Sequence, residues 1–332
     1  MTYKKCQKSV FLIKTIVVII AVHFFVFGKM YYVSPTGDDQ SSGTEQLPFK
    51  TIQKSAEVAK AGDEVVIGKG VYREKIRPVH SGLSESNRIV FRGEDRSGVV
   101  ISGTEVVSDW QKHKGNIYVA SVSNTYQTKM HYTDQVFVDG RMMILAREPD
   151  LPINKGLYQY DLTYRIKKVT NKTSIGGGTQ TPWGPVQKGN AMKLSFTSDG
   201  LTQEGDFWEN GVIAVKSTQK TAHWGFYHVG PIINYQQGSM ECIIYKQPNF
   251  GNWGIHDNEQ FYVMNTLAAL DQPGEWYWDK SSGKLYMWLP DDKNPNDHLI
   301  EVKMRDFAFD LSDRSFVTVK DMTVFGATIT TD

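Results

Sequence analysis

Apolar residues in this chain fall mostly into short runs separated by tight polar turns. The pattern is sharpest at the end, where strands are predicted at Phe307–Leu311, Phe316–Val319, Met322–Val324 and Ala327–Ile329. Turn residues such as Ser312-Asp313-Arg314 and Lys320-Asp321 divide them. Strands this short, with no helix between them, suit the coils of a parallel β-solenoid, in which each coil is buried by its neighbours. Runs of the same kind appear near the start at Asp63-Glu-Val-Val-Ile67, Val71–Ile76, Arg88–Arg92 and Val99–Ser102. One stretch departs from this texture. In Phe49–Lys60, Ile52, Ala56 and Val58-Ala59 fall at helical spacing, and Gly62 supplies the stop.

Between about Gly103 and Asn296 the coil spacing is lost, although β patterning continues. Gln135–Val138 turns through Asp139-Gly140, a strong hairpin signal. Gly274–Asp279 and Lys284–Leu289 flank Lys280-Ser-Ser-Gly283 and predict a second hairpin. The chain therefore divides into residues 1–28, a leader; 29–103, a cap helix with the first coils; 104–296, an inserted β-rich domain; and 297–332, a returning coil. Solenoids need several stacked coils, so this chain is expected to be the front of a longer protein.

The leader is lysine-rich at its start (Lys4, Lys5, Lys8, Lys14), lacks acids, and continues into the apolar run Thr15–Gly28. That layout predicts a secretory signal, with an uncleaved membrane anchor as the alternative. Its four lysines exceed the whole chain's net charge of +1, so the remainder offers no basic surface for nucleic acid. Only Cys6 and Cys242 are present, and Cys6 lies in the leader. Cys242 in Met240-Glu-Cys-Ile-Ile-Tyr245 is expected to be a buried thiol, with no disulfide to stabilise the fold.

Three segments together carry a resemblance: Tyr31 to Asp38 (Tyr31, Val33-Ser34-Pro35-Thr36-Gly37-Asp38), Gly43-Thr44 with Pro48-Phe49-Lys50-Thr51-Ile52-Gln53, and Gly62-Asp63-Glu64-Val65 with Gly70–Glu74. They resemble the N-terminal start of secreted bacterial right-handed parallel β-helix proteins of the pectate-lyase-like superfamily. The resemblance implies a mainly β fold: a right-handed parallel β-helix start with an N-terminal cap helix and an inserted β-rich domain. The insert's Glu-Trp-Tyr and Leu-Tyr-Met-Trp hairpin is similar to those in β-helix glycoside hydrolases. In that superfamily catalytic acids and bases project from middle coils, which implies that most of the chemistry lies beyond Asp332.

Within the chain, aromatic density is the main functional signal. Fourteen Trp, Tyr and Phe residues lie between His223 and Leu289. Aromatic faces stack on sugar rings, but alternating hairpin aromatics also build ordinary β cores. Trp224 and Trp253 sit among His223, His256 and Asp257 in turn-rich segments, where binding groups concentrate. Hydrolysis of a glycosidic bond uses two carboxylates in different environments. Glu148 and Asp150 are candidates, with Arg147 as a clamp; the plain alternative is a set of exposed turn charges. Asp310 is a further candidate acid, and as readily a turn former. The pairs Asp38-Asp39 and Asp291-Asp292 are the places where Ca²⁺ would be sought, although adjacent turn aspartates are usually just solvated. No zinc spacing, phosphate loop or nucleophile elbow occurs.

The expectation is thus an exported protein acting on a polysaccharide or oligosaccharide, most readily a glycoside hydrolase without a cofactor. The alternatives are a polysaccharide lyase, and a non-catalytic glycan-binding adhesin.

Overall fold

The fold is seen in a computed structural model, which describes residues 28–122, 134–151, 163–175, 180–181, 184–185, 191–218, 225–245 and 254–331. The leader, apart from Gly28, lies outside them. Three parallel sheets form the β-helix. The first stacks Met30–Val33, Glu64–Ile67, Ile89–Gly93 and Val317–Lys320, all parallel. The second stacks Gly70–Tyr72, Val99–Ser102 and Thr323–Phe325. In the third, Phe307–Asp310 pairs with Thr328–Thr330, and Ile76 bridges to Phe309.

Registers in the first sheet place Tyr31, Val65, Phe91 and Val319 in one row, so like faces stack coil upon coil. Alternation then sends Val65 and Ile67, Ile89 and Phe91, and Val99 and Ile101 inward, each fully buried. Burying one such side chain contributes roughly 1.5–3 kcal/mol, which is how strands of three to five residues hold without disulfides.

The helix forms over Ile52–Val58. Its exposed first-turn donors are all taken up. Thr51 Oγ1 accepts from Lys54 N–H, and the Glu74 carboxylate accepts from the N–H groups of Ile52 and Gln53, both at 2.9 Å. Asp39 in turn accepts from Lys50, Thr51 and the Thr51 hydroxyl. Such caps supply the hydrogen bonds a short helix cannot make internally. Ile52 and Ala56 close the end of the β-helix core.

The insert interrupts one coil between its second and third strands. Val99–Ser102 leads out and Phe307–Asp310 completes the same coil on return. Both ends meet at Gly103, whose carbonyl accepts from Met304 N–H (2.7 Å) and Arg305 N–H (2.9 Å). A Cβ on Gly103 would lie 2.5 Å from the Gly326 carbonyl oxygen and 2.7 Å from the Ala327 Cβ, so only glycine fits. The sequence places the return at residue 297. Instead Ile300–Lys303 pairs antiparallel with Thr104–Val106, forming the stalk of the insert, and coil stacking resumes at Phe307. The apolar alternation of Ile300 and Val302 is that of a coil strand, but their partners are insert residues.

The insert has two cores. The stalk joins Val136–Val138 and Arg141–Met142 in a four-stranded sheet, with Asp139 and Gly140 turning at positive φ (49° and 77°). Facing it is a five-stranded sheet of Ile144–Leu145, Glu275–Asp279, Lys284–Trp288, Ile117–Ser121 and Gln111–Lys114. Trp276, Trp278, Leu285 and Met287 meet Ile300 and Val302 between the two. The second core fills a sheet that closes on itself, in the order Gln260–Met264, Val212–Thr218, Gly225–Gln236, Ser239–Tyr245, Ala191–Thr197 and Lys168–Ile175. Tyr164-Arg165, just before the last strand, pairs back onto Phe261 and Gln260 and so removes the open edge. Trp208, Phe196, Phe261, Leu194 and Ile213 fill this barrel.

Candidate functional site

Arg147-Glu148, one of the segments singled out from sequence, is a two-residue strand at the seam between the barrel and the five-stranded sheet. On one side it pairs antiparallel with Met264 and Val263 of the barrel. The residues just before it, Ile144-Leu145, run parallel to Glu275-Trp276 of the smaller sheet. One short segment is thus shared by both halves of the insert, and its side chains are held from two directions.

The seam gathers acids. Carboxylate oxygens of Glu148, Asp150 and Asp271 all lie within 4.8 Å of one another, with Glu148 and Asp150 half-buried and Asp271 exposed. Glu275 lies beside them and is fully buried. Its Oε1 accepts the backbone N–H of Arg147 at 3.2 Å and a longer contact from Gln272 Nε2, which also donates to the Leu151 carbonyl. Burial raises all four carboxyls above their ordinary range. The charge on Asp271 adds to this for Glu148, Asp150 and Glu275. Glu275 is pushed furthest, to about 9.

Arg147 is buried in the same place. Its Nε donates to the Pro149 carbonyl at 2.9 Å, and its guanidinium lies 4.0 Å from the centroid of the Tyr262 ring. A guanidinium stacked on an aromatic face in a desolvated site is fixed in orientation. Tyr164 donates its hydroxyl to Glu148 Oε2 at 3.2 Å. Its ring lines an open groove of about 450 Å³ with Arg165, Lys167, Asp199 and Asp257. Glu148 and that groove therefore share Tyr164 as a wall.

The sequence candidates separate in space. Arg147, Glu148 and Asp150 come together, as above. His256 and Asp257 sit in the turn after Gly254, and Asp257 lines the groove. There Asp257 accepts from Val169 N–H at 2.7 Å and pairs with Lys168, and these two, Val169 first, hold its carboxyl below the usual range. Asp257 thus fastens the turn to the barrel. His223, Trp224 and Trp253 lie outside the described residues.

Asp310 lies in the β-helix, paired with Lys75 at 2.7 Å and Arg77 at 3.5 Å, and accepting from the Ser312 hydroxyl. Lys75 first, and Ser312 next, hold its carboxyl below the usual range, the opposite of what a general acid requires. Asp38 accepts from Gln40 N–H, Asp39 caps the helix, Asp291 pairs with Lys293, and Asp292 accepts from Trp288 Nε1. Each of these turn aspartates is used locally.

Sequence reasoning passed over Asp271, Glu275 and Tyr164. Asp271 stands in the turn Asp271-Gln-Pro-Gly274, and Glu275 opens a strand otherwise read for its tryptophans. The available signal was an acid set directly against an aromatic run, Glu275-Trp-Tyr-Trp278.

Comparison with known proteins places this seam in a recognisable setting. Residues 252–290, which hold Asp271, Glu275 and the tryptophan hairpin, match the family described as GH141 insertion domain. Residues 35–80 match a protein family of unknown function, DUF1565. The uncharacterized protein YwoF of Bacillus subtilis (strain 168) is 42% identical over 81 residues, which is 24% of this chain and 17% of that protein. A solved structure titled glycoside hydrolase aligns with a TM-score of 0.60 at 18% identity, over 90% of this chain and 50% of its own. The chain thus spans half of the solved structure and less than a fifth of the curated relative.

Proposed function

We propose that this chain is the N-terminal part of an exported, carbohydrate-active β-helix protein that hydrolyses glycosidic bonds in a polysaccharide. The observation that carries this reading is the match of residues 252–290 to a glycoside hydrolase insertion domain, within an insert that leaves and re-enters one coil at Gly103. The fold shared with a solved structure titled glycoside hydrolase supports it. The lysine-led apolar leader supports export.

The hydrolytic pair would stand on coils stacked beyond Val317–Thr330. We do not assign it to Glu148 and Asp150: glycoside hydrolysis uses one carboxyl kept protonated and a second kept ionised, whereas burial and the charge of Asp271 raise both of these. The seam and its groove serve instead as substrate-side architecture, with Arg147 and Tyr164 as the polar and aromatic edges. The sugar and the linkage remain to be read from product analysis.

The test is product analysis on a panel of neutral and uronate polysaccharides, using the full-length gene product beside the 332-residue chain. New reducing ends without an unsaturated, ultraviolet-absorbing product are expected from the full-length protein, and none from the chain alone. An unsaturated product would replace hydrolysis with lyase chemistry. Glycan retention without cleavage by either protein would leave a binding role.

A further inference from the structure

The carboxylates at the seam point to a cation. Three features coincide there. Oxygens from Glu148, Asp150 and Asp271 converge within 4.8 Å. Glu275, fully buried beside them, has an Oε2 with no hydrogen-bond partner among the described residues. Asp150 Oδ1, shielded from solvent within the cluster itself, is unpartnered in the same way. Buried carboxylate oxygens are nearly always bonded, because leaving one bare forfeits its solvation with nothing in return. Three converging carboxylates beside a fully buried acid with a bare oxygen mark a place built for a positive partner.

We infer that Glu148, Asp150 and Asp271 form a Ca²⁺ site, with Glu275 as its buried wall, that clamps the barrel to the five-stranded sheet. The donor set is all oxygen, which suits a hard cation and not zinc or copper. Calcium suits it better than magnesium, because Ca²⁺ accepts flexible geometry at about 2.3–2.6 Å whereas Mg²⁺ demands a near-ideal octahedron at about 2.0–2.1 Å. Calcium also takes six to eight oxygens, leaving room for water and backbone carbonyls beside the three carboxylates. The ligands come from both halves of the insert: Glu148 from a strand paired to the barrel, Asp271 from the turn that leads into Glu275–Asp279. A bound ion would tie these halves together and neutralise the charge that the seam concentrates.

The site is independent of the hydrolytic reading, and so is its test. The full chain, stripped with a chelator, is titrated with Ca²⁺ and separately with Mg²⁺ by calorimetry, with the melting temperature followed in parallel. One Ca²⁺ per chain and a rise in melting temperature are expected, with Mg²⁺ binding more weakly. Asp271→Asn and Asp150→Asn should each weaken Ca²⁺ about tenfold or more, since even outer partners of a metal cost that much. Asp199→Asn, an exposed acid paired with Lys167, should leave binding unchanged. Asp271 is exposed, so its variant folds and decides the matter even if the Asp150 variant does not. Absence of saturable Ca²⁺ binding, or full affinity retained in Asp271→Asn, overturns the inference.

Discussion

Arg73, in the first coil, and Glu301, in the returning strand of the insert, form an ion pair at 2.8 Å. Glu301 is buried and Arg73 mostly so, and the same guanidinium nitrogen donates to the Thr104 carbonyl and hydroxyl. Thr104 Oγ1 donates to Glu301 in turn, at 2.8 Å. One network therefore joins the β-helix to both legs of the stalk. Removing one partner of a buried pair leaves the other charge stranded, a loss of about 3–5 kcal/mol. Because Arg73 keeps its Thr104 bonds, Glu301→Ala should fall near the lower end of that range. Denaturant unfolding should show the lower midpoint, and tryptophan emission from the insert should separate from the global transition.

Asp310 makes the β-helix acid-sensitive. Its carboxyl is held below its ordinary value by Lys75 first and Ser312 next, so the folded state binds that proton less readily than the unfolded chain. Stability from this group is present above the unfolded value of about 4 and is lost as pH falls below it. Asp310→Asn should lower stability at pH 7 by about 1.5–3 kcal/mol, the worth of hydrogen bonds to a charged group. It should also flatten the loss of stability between pH 4 and the acid limit. Melting temperatures of the two proteins across that window check both effects.

Phe309 is fully buried and meets Phe91 edge-on, with centroids 5.5 Å apart, across the interior of the coil it completes. Phe309→Ala should cost about 3–5 kcal/mol, the usual range for an aromatic truncated to a cavity. Phe309→Leu should recover most of it. Comparing the two by urea unfolding separates packing from any effect on the insert.

Cys242 lies in the barrel core with no exposed surface, and burial drives its thiol far up from the ordinary range. A low-pKa thiolate is the reactive species, so the native protein should not consume a thiol reagent. Reaction should begin only with global unfolding and report its rate. Rapid labelling of the native protein would show that the barrel opens locally.

Much of this architecture was legible because it rests on local chemistry. Ile52, Ala56 and Val58-Ala59 at helical spacing, Asp139-Gly140 in a hairpin turn, and the apolar run holding Ile89 and Phe91 each specify their element from neighbouring residues. The barrel was not legible, because its closure depends on Tyr164-Arg165 meeting Phe261 and Gln260 far along the chain. The point of return was misplaced for a related reason. Ile300 and Val302 alternate as a coil strand would, and only their partners, Val138 and Glu105 among them, reveal the stalk. Half of the acidic seam was visible as Arg147-Glu148-Pro149-Asp150. The other half comes from Asp271 and Glu275, which no local spacing connects to it.

The two contacts at the Gly103 carbonyl bear on how such proteins diversify. Because departure and return share one residue, the coil is indifferent to what hangs between them: a long excursion holds its ends as close as a short turn would. Closing a longer loop adds only about 0.6 kcal/mol per doubling of its length. A different appendage with the same two-stranded stalk could be grafted at Gly103 without changing the stacking of any coil. The scaffold and its attachment are thus free to vary separately, which makes this junction a natural port for exchanging one inserted domain for another.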